Sequence, residues 1–151
     1  NLASLIYVAG ILGLAAVVDR SGLGKLLSDA LVGITGLAPG DDARNFATLV
    51  GVSTLLGLVT TIGGVPGILT PLAAGVSEAS GLSLKTVLMT QVLGFSTVIL
   101  PYQLPPLVVA MQLGRVPMAV GARLTAALAA VTLIVLMPLD YVWWRLLGYL
   151  G

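Results

Sequence analysis

Two short polar clusters interrupt the apolar runs of this sequence, and they hold the side chains best suited to bind a small ligand. The first covers 60–67 and contains two threonines, three glycines and Pro66. The second covers 101–106 and contains three prolines and Gln103. Hydroxyl and amide groups bind an anion without a fixed charge, and a broken helix frees backbone amides and carbonyls beside them. The clusters therefore predict a neutral, polar site.

Composition excludes most catalytic chemistry and indicates a membrane protein. The 151 residues include no cysteine or histidine, 58% are hydrophobic and only 9% are charged, against about 25% charged in a soluble domain. No nucleophile–base pair, metal-ligand cluster or paired carboxylate is visible, so we predict that the chain is not an enzyme. A net charge of +1 gives no basic surface for nucleic acid. We predict an all-α integral membrane protein, a transmembrane helix bundle.

The apolar runs predict the elements that position the two clusters within one domain. A spanning helix needs about 20 apolar residues, whereas charges interrupt the second segment early enough to keep it in the interface. The predicted elements are a span at 2–18, an interfacial arm helix at 21–37, a re-entrant hairpin at 46–80, a broken helix at 84–113, a span at 116–138 and an interfacial aromatic tail at 140–151.

Glycine and proline create the predicted breaks. Adjacent Gly63 and Gly64, followed by Pro66, disfavour a continuous helix and predict a hairpin tip, with one long kinked helix as the alternative. Broken helices survive in a bilayer where they are buried in protein or line a wet cavity. We therefore expect 60–67 and 101–106 to lie together at mid-membrane depth. The competing interpretation is that the prolines are simple kinks and that the Ser, Thr and Gln side chains join helices.

The order of these segments resembles the C-terminal half of the divalent anion:sodium symporter (DASS) family, which carries dicarboxylates, citrate and sulfate. The matching pieces are Asp19-Arg20-Ser21-Gly22-Leu23 before the arm, Ile68-Leu69-Thr70-Pro71-Leu72-Ala73 in the hairpin, and Leu100-Pro101 followed by Pro105-Pro106. The chain departs from the family at the tip, where Ser-Asn-Thr is replaced by Thr61-Ile62-Gly63, and around the proline pair, where Thr and Asn are replaced by Leu104 and Leu107.

The resemblance implies a secondary active transporter of small anions that works by alternating access. The substrate-binding residues predicted at the two breaks are Thr60, Thr61, Gly63, Gly64, Gln103, Pro105 and Pro106. Of these, Thr61 and the Pro105-Pro106 pair also match the family's motifs. A sodium site would lie near Thr61 and Gln103, and the lost side-chain oxygens predict weak or absent dependence on sodium. No other cofactor is expected. The alternative is a non-transporting membrane subunit or scaffold that retains the fold with a degenerate site.

Such a carrier contains two inverted repeats, and this chain resembles one of them. The expected partners are therefore the small anionic substrate, the lipid bilayer, and an N-terminal repeat of the same protein or a second copy of this chain. The family also implies a homodimer. The expected location is the bacterial inner membrane.

Overall fold

The computed structural model describes residues 6, 9, 10, 13, 17, 20–60 and 62–150. These residues form helices and no strand, which confirms the predicted all-α class for this part of the chain. The predicted span at 2–18 falls largely outside the described residues, and Thr61 falls outside them altogether. The helices are α1 (Leu23–Thr35), α2 (Asp42–Val59), α3 (Gly64–Leu69), α4 (Ala73–Ser80), α5 (Leu84–Ser96), α6 (Pro105–Leu113), α7 (Met118–Val131) and α8 (Met137–Leu146).

Helices α2, α3 and α4 form a hairpin. The Asp41 side chain accepts a hydrogen bond from the Arg44 amide and caps the start of α2. At the other end Thr60 is extended, and the chain turns back through α3, a 3₁₀ turn at Thr70–Leu72 and α4. The end of the hairpin opposite the tip is its open end, where α2 begins and α4 finishes. The buried Asn45 side chain joins the two helices there, because its Nδ2 donates to the Ser80 carbonyl at 3.0 Å.

The tip of the hairpin is shorter than the sequence predicts. Helix α2 ends at Val59, and residues 64–67 of the predicted tip already belong to α3. Pro66 lies in the first turn of that helix, where a backbone amide has no intrahelical acceptor, so the missing N–H costs nothing. Proline alone therefore marks a helix start here and not a break.

Helix α5 runs beside α2 from the open end of the hairpin to its tip. Ser53 Oγ donates to the Gln91 carbonyl at 2.9 Å, and Thr54 Oγ1 donates to the Gly94 carbonyl at 3.2 Å. A Cβ added at Gly94 would lie 2.3 Å from Ser53 Cβ and 2.7 Å from the Val50 carbonyl oxygen. The absence of a side chain at Gly94 is what allows this close approach.

Helices α7 and α8 form one continuous helix, Met118–Leu146, through a π-helical turn at Thr132–Leu136. Among the described residues, it is the one helix that is long and apolar enough to cross a membrane by length and composition. Its most apolar 18-residue stretch has a mean hydropathy of 2.0 and is 22% buried. The sequence predicts an end at Pro138, but the helix continues for eight residues. A π turn before a proline relaxes the backbone bonding that proline interrupts.

The C-terminal segment packs on the open end of the hairpin, and its location in the membrane interface stays a prediction. The Phe46 ring lies 5.4 Å from both the Tyr141 and the Trp144 rings. Thr86 Oγ1 donates to the Tyr149 carbonyl at 3.0 Å. These rings join a core built from the hairpin and α5, which includes Leu49, Val50, Val65, Leu69, Leu72, Val76 and Val87. The aromatic residues of the predicted interfacial tail are Tyr141, Trp143, Trp144 and Tyr149, and of these Trp143 remains exposed.

Candidate functional site

The tip of the hairpin and the break between α5 and α6 lie against each other. The Ile62 amide donates to the Gln103 carbonyl at 3.1 Å. The Tyr102 hydroxyl donates to the Leu58 carbonyl near the end of α2. The predicted proximity of the two clusters is confirmed, while their depth in a bilayer stays a prediction.

Proline sterics shape the second half of this break. Proline disfavours helical dihedrals in the residue before it, and Leu100 and Leu104, which precede Pro101 and Pro105, are both extended. Helix α5 stops at Ser96, and the non-α stretch covers 97–104, with a 3₁₀ turn at Pro101–Gln103. The break lies further towards the N-terminus than the predicted 101–106, since the Pro105-Pro106 pair begins α6.

Gln103 holds the shape of the break. Its side chain is 1% exposed. Its Oε1 atom accepts hydrogen bonds from the Ile99 and Leu100 amides, both at 2.7 Å. These amides have left the helix and lack the usual carbonyl acceptor, so the carboxamide replaces it. The structure thus gives Gln103 a positioning role, and direct contact with a substrate stays a prediction.

The other predicted site residues are more accessible than Gln103. Gly63, Pro105 and Pro106 are exposed, and Thr60 and Gly64 are half-buried. Thr60 Oγ1 donates back to the Leu56 carbonyl at 3.1 Å. Thr61 lies outside the described residues. The tip and the start of α6 therefore offer accessible backbone and a threonine beside a buried, already bonded glutamine.

Two residues at this site escape the sequence reasoning. Thr125 of α7 donates through Oγ1 to the Ile99 carbonyl at 2.9 Å, and Tyr102 donates to a carbonyl of α2. Each side chain satisfies a carbonyl that a helix end or break leaves available. A hydroxyl inside an apolar run is the only sequence signal for Thr125, and nothing in the sequence places α7 beside the break.

The arrangement can bind and orient a ligand through neutral groups. None of the predicted site residues is ionisable, and their side chains offer hydroxyl and amide groups only. Within the described residues, no group of three or more His, Cys, Asp or Glu side chains is placed to hold a metal ion. Comparison of the chain with known protein families, characterised proteins and solved structures finds no match.

Proposed function

We propose that this chain is one repeat of a secondary active transporter that moves small anions by alternating access. The observation that carries the proposal is the contact between the two helix breaks, made by the Ile62 amide and the Gln103 carbonyl. Paired breaks of this kind bring helix ends and free backbone groups to one point, which is the arrangement that transporters use to bind ions and substrates.

Exposed apolar surface supports insertion in a membrane. Leu124, Ile134 and Leu146 of the long helix are 61%, 74% and 75% exposed. An apolar surface of this extent marks contact with lipid or with another protein. Helices α5 and α6 have 13 and 9 residues, each shorter than a span, as the two halves of one broken crossing would be. The bacterial inner membrane is the proposed location.

Neutral donors favour an anion with several oxygen atoms, such as a dicarboxylate, citrate or sulfate. A cation site needs oxygen ligands, and Gln103 Oε1 already accepts two backbone amides. A sodium ion there would displace both donors. The side chains of Ile62, Leu104 and Leu107 supply no oxygen. We therefore propose that transport is independent of sodium or depends on it weakly.

A scaffold subunit with a degenerate site is the second candidate. The observation in its favour is that Gln103 is buried and engaged with its own backbone. Under this alternative the break is a structural feature that joins the hairpin to α7, and no substrate binds to it.

Uptake by the complete native protein in liposomes separates the two candidates. Labelled succinate, citrate and sulfate are offered in sodium and in choline buffer, and we expect uptake of at least one anion in both. Thr60→Val should lower it several-fold, whereas Thr132→Val should not. The pair is matched, because Thr60 and Thr132 each donate to the carbonyl four residues earlier, and Thr132 lies in the π turn.

Two results would contradict these expectations in different ways. Folded protein that takes up none of the anions would favour the scaffold. Uptake with a steep dependence on several sodium ions would refute the proposed coupling and leave transport in place.

A further inference from the structure

A cleft of about 580 Å³ lies between the arm helix α1 and helix α4, and the residues of the paired breaks do not line it. The volume falls in the range of about 300–1,000 Å³ that is typical of ligand pockets. Gly24 and Gly75 are among the small residues of its wall. The polar side chains that line it are Lys25, Ser28, Asp29 and Glu78.

These polar groups have no partners in the described part of the protein. Lys25, Asp29 and Glu78 are exposed, and none of them makes an ion pair there, although Lys25 and Asp29 are four residues apart on one helix. Ser28 is 2% exposed, and its Oγ atom has no hydrogen-bond partner. A buried hydroxyl without a partner is rare in folded proteins and calls for an explanation.

We propose that this cleft binds the phosphoethanolamine headgroup of a membrane lipid. The ammonium group has three N–H donors, and the Asp29 and Glu78 carboxylates accept hydrogen bonds from them. The Lys25 ammonium binds the phosphate. A zwitterion of this kind pairs with all three charged side chains. A simple anion would be repelled by the two carboxylates, and a simple cation would be repelled by Lys25. A ligand group that reaches Ser28 would also satisfy its hydroxyl.

The surface next to the cleft favours a lipid over a soluble molecule with the same headgroup. Leu26 of α1, which follows the cleft residue Lys25, is 68% exposed and offers an apolar surface for acyl chains. The inference rests on the membrane location in the proposed function but not on transport. A bound lipid would bridge α1 and α4 and so tie the arm to the hairpin.

Native mass spectrometry of the complete protein in detergent tests this assignment. Phosphatidylethanolamine, phosphatidylcholine and phosphatidylglycerol with the same acyl chains are titrated separately. We expect the first to bind about tenfold tighter than the other two, which corresponds to about 1.4 kcal/mol. The choline group has no N–H donor and the glycerol group has no cation, so neither can satisfy the two carboxylates.

Matched double variants test whether the two carboxylates of the cleft cause the preference for phosphatidylethanolamine. Asp29→Asn/Glu78→Gln should abolish it, and Asp42→Asn/Asp140→Asn, which removes two carboxylates that do not line the cleft, should keep it. Ser28→Ala should weaken phosphatidylethanolamine binding without changing the helix content measured by circular dichroism. Helix content and unfolding temperature without lipid identify any variant that fails to fold.

Three results would overturn the proposal. Equal binding of the three lipids by the unmodified protein would refute recognition of the headgroup. A preference that survives in Asp29→Asn/Glu78→Gln would place the site elsewhere. Free phosphoethanolamine that binds as tightly as the lipid would show that the ligand is a soluble zwitterion. Because binding is measured without transport, failure of the uptake experiment leaves these outcomes unaffected.

Discussion

Replacement of Gln103 by leucine should destabilise the protein through the backbone of the break. Gln103 Oε1 accepts from the Ile99 and Leu100 amides, both at 2.7 Å. Leucine removes this acceptor without changing the overall size greatly. Each amide left without a partner costs about 1–3 kcal/mol. Both amides are partly buried, so we expect the free energy of unfolding to fall by about 2–4 kcal/mol in total.

Gln112→Leu is the matched control. Gln112 is an exposed glutamine of α6, and an exposed substitution usually changes stability by less than about 0.5 kcal/mol. Unfolding is followed in mixed micelles by tryptophan fluorescence while the fraction of denaturing detergent rises. The buried Trp144 packs edge-on against Phe46 in the core, so its emission reports loss of the hairpin packing.

The outcome that would refute this reasoning is a Gln103→Leu variant as stable as Gln112→Leu. It would mean that the two amides find water or another acceptor and that the glutamine does not hold the break. The contact between Ile62 and Gln103 uses the backbone carbonyl of Gln103, so the substitution does not remove it directly. A stable variant that no longer binds substrate would instead give Gln103 a direct role in binding.

Two further predictions concern the helix contacts that support the site. Gly94→Val should lower the free energy of unfolding by about 1–3 kcal/mol through overpacking, since its Cβ would clash with Ser53. The control is Gly51→Ala, where the added Cβ meets open space. It should raise the free energy of unfolding by about 0.5–1 kcal/mol. The same titration measures both, and equal effects would contradict the expectation. Asn45→Asp should cost about 1–3 kcal/mol, because the Ser80 carbonyl loses its donor; an unchanged unfolding temperature would show that the open end is held by other contacts.

Local sterics explain why the positions of the breaks are largely predictable from the sequence. Proline disfavours the helical region in the residue before it, so the cluster of prolines at 101, 105 and 106 indicates a break near Leu104. A single proline has a weaker effect, since Thr70 and Met137 each precede a proline and remain helical. The exact ends are not predictable in this way. Pro66 and Pro138 both lie inside helical segments. The first turn of a helix tolerates Pro66, and the π turn that precedes Pro138 relaxes the backbone bonding there. Neither the start of a helix nor a π turn is evident from the sequence around the proline.

The chemistry of the site is less predictable, because a broken backbone and a bound ligand require the same polar groups. Gln103 is the clearest example. An amide side chain in an apolar sequence can bind an anion, or it can accept hydrogen bonds from two backbone amides that have left a helix. The sequence predicts the first role, and the structure shows the second. Thr125 reaches the Ile99 carbonyl from 26 residues away, and such a contact depends on helix packing that no local pattern encodes.

The hydrogen bonds at the break also restrict how a carrier of this design can move. The Ile62 amide ties the hairpin tip to the break, and Thr125 ties α7 to the same break. At the other end, Phe46 of the hairpin packs against Trp144 of α8. Movement of the hairpin alone would break contacts at both ends at once. The proposed alternating access therefore requires the hairpin, α5 and the long helix to move as one packed unit.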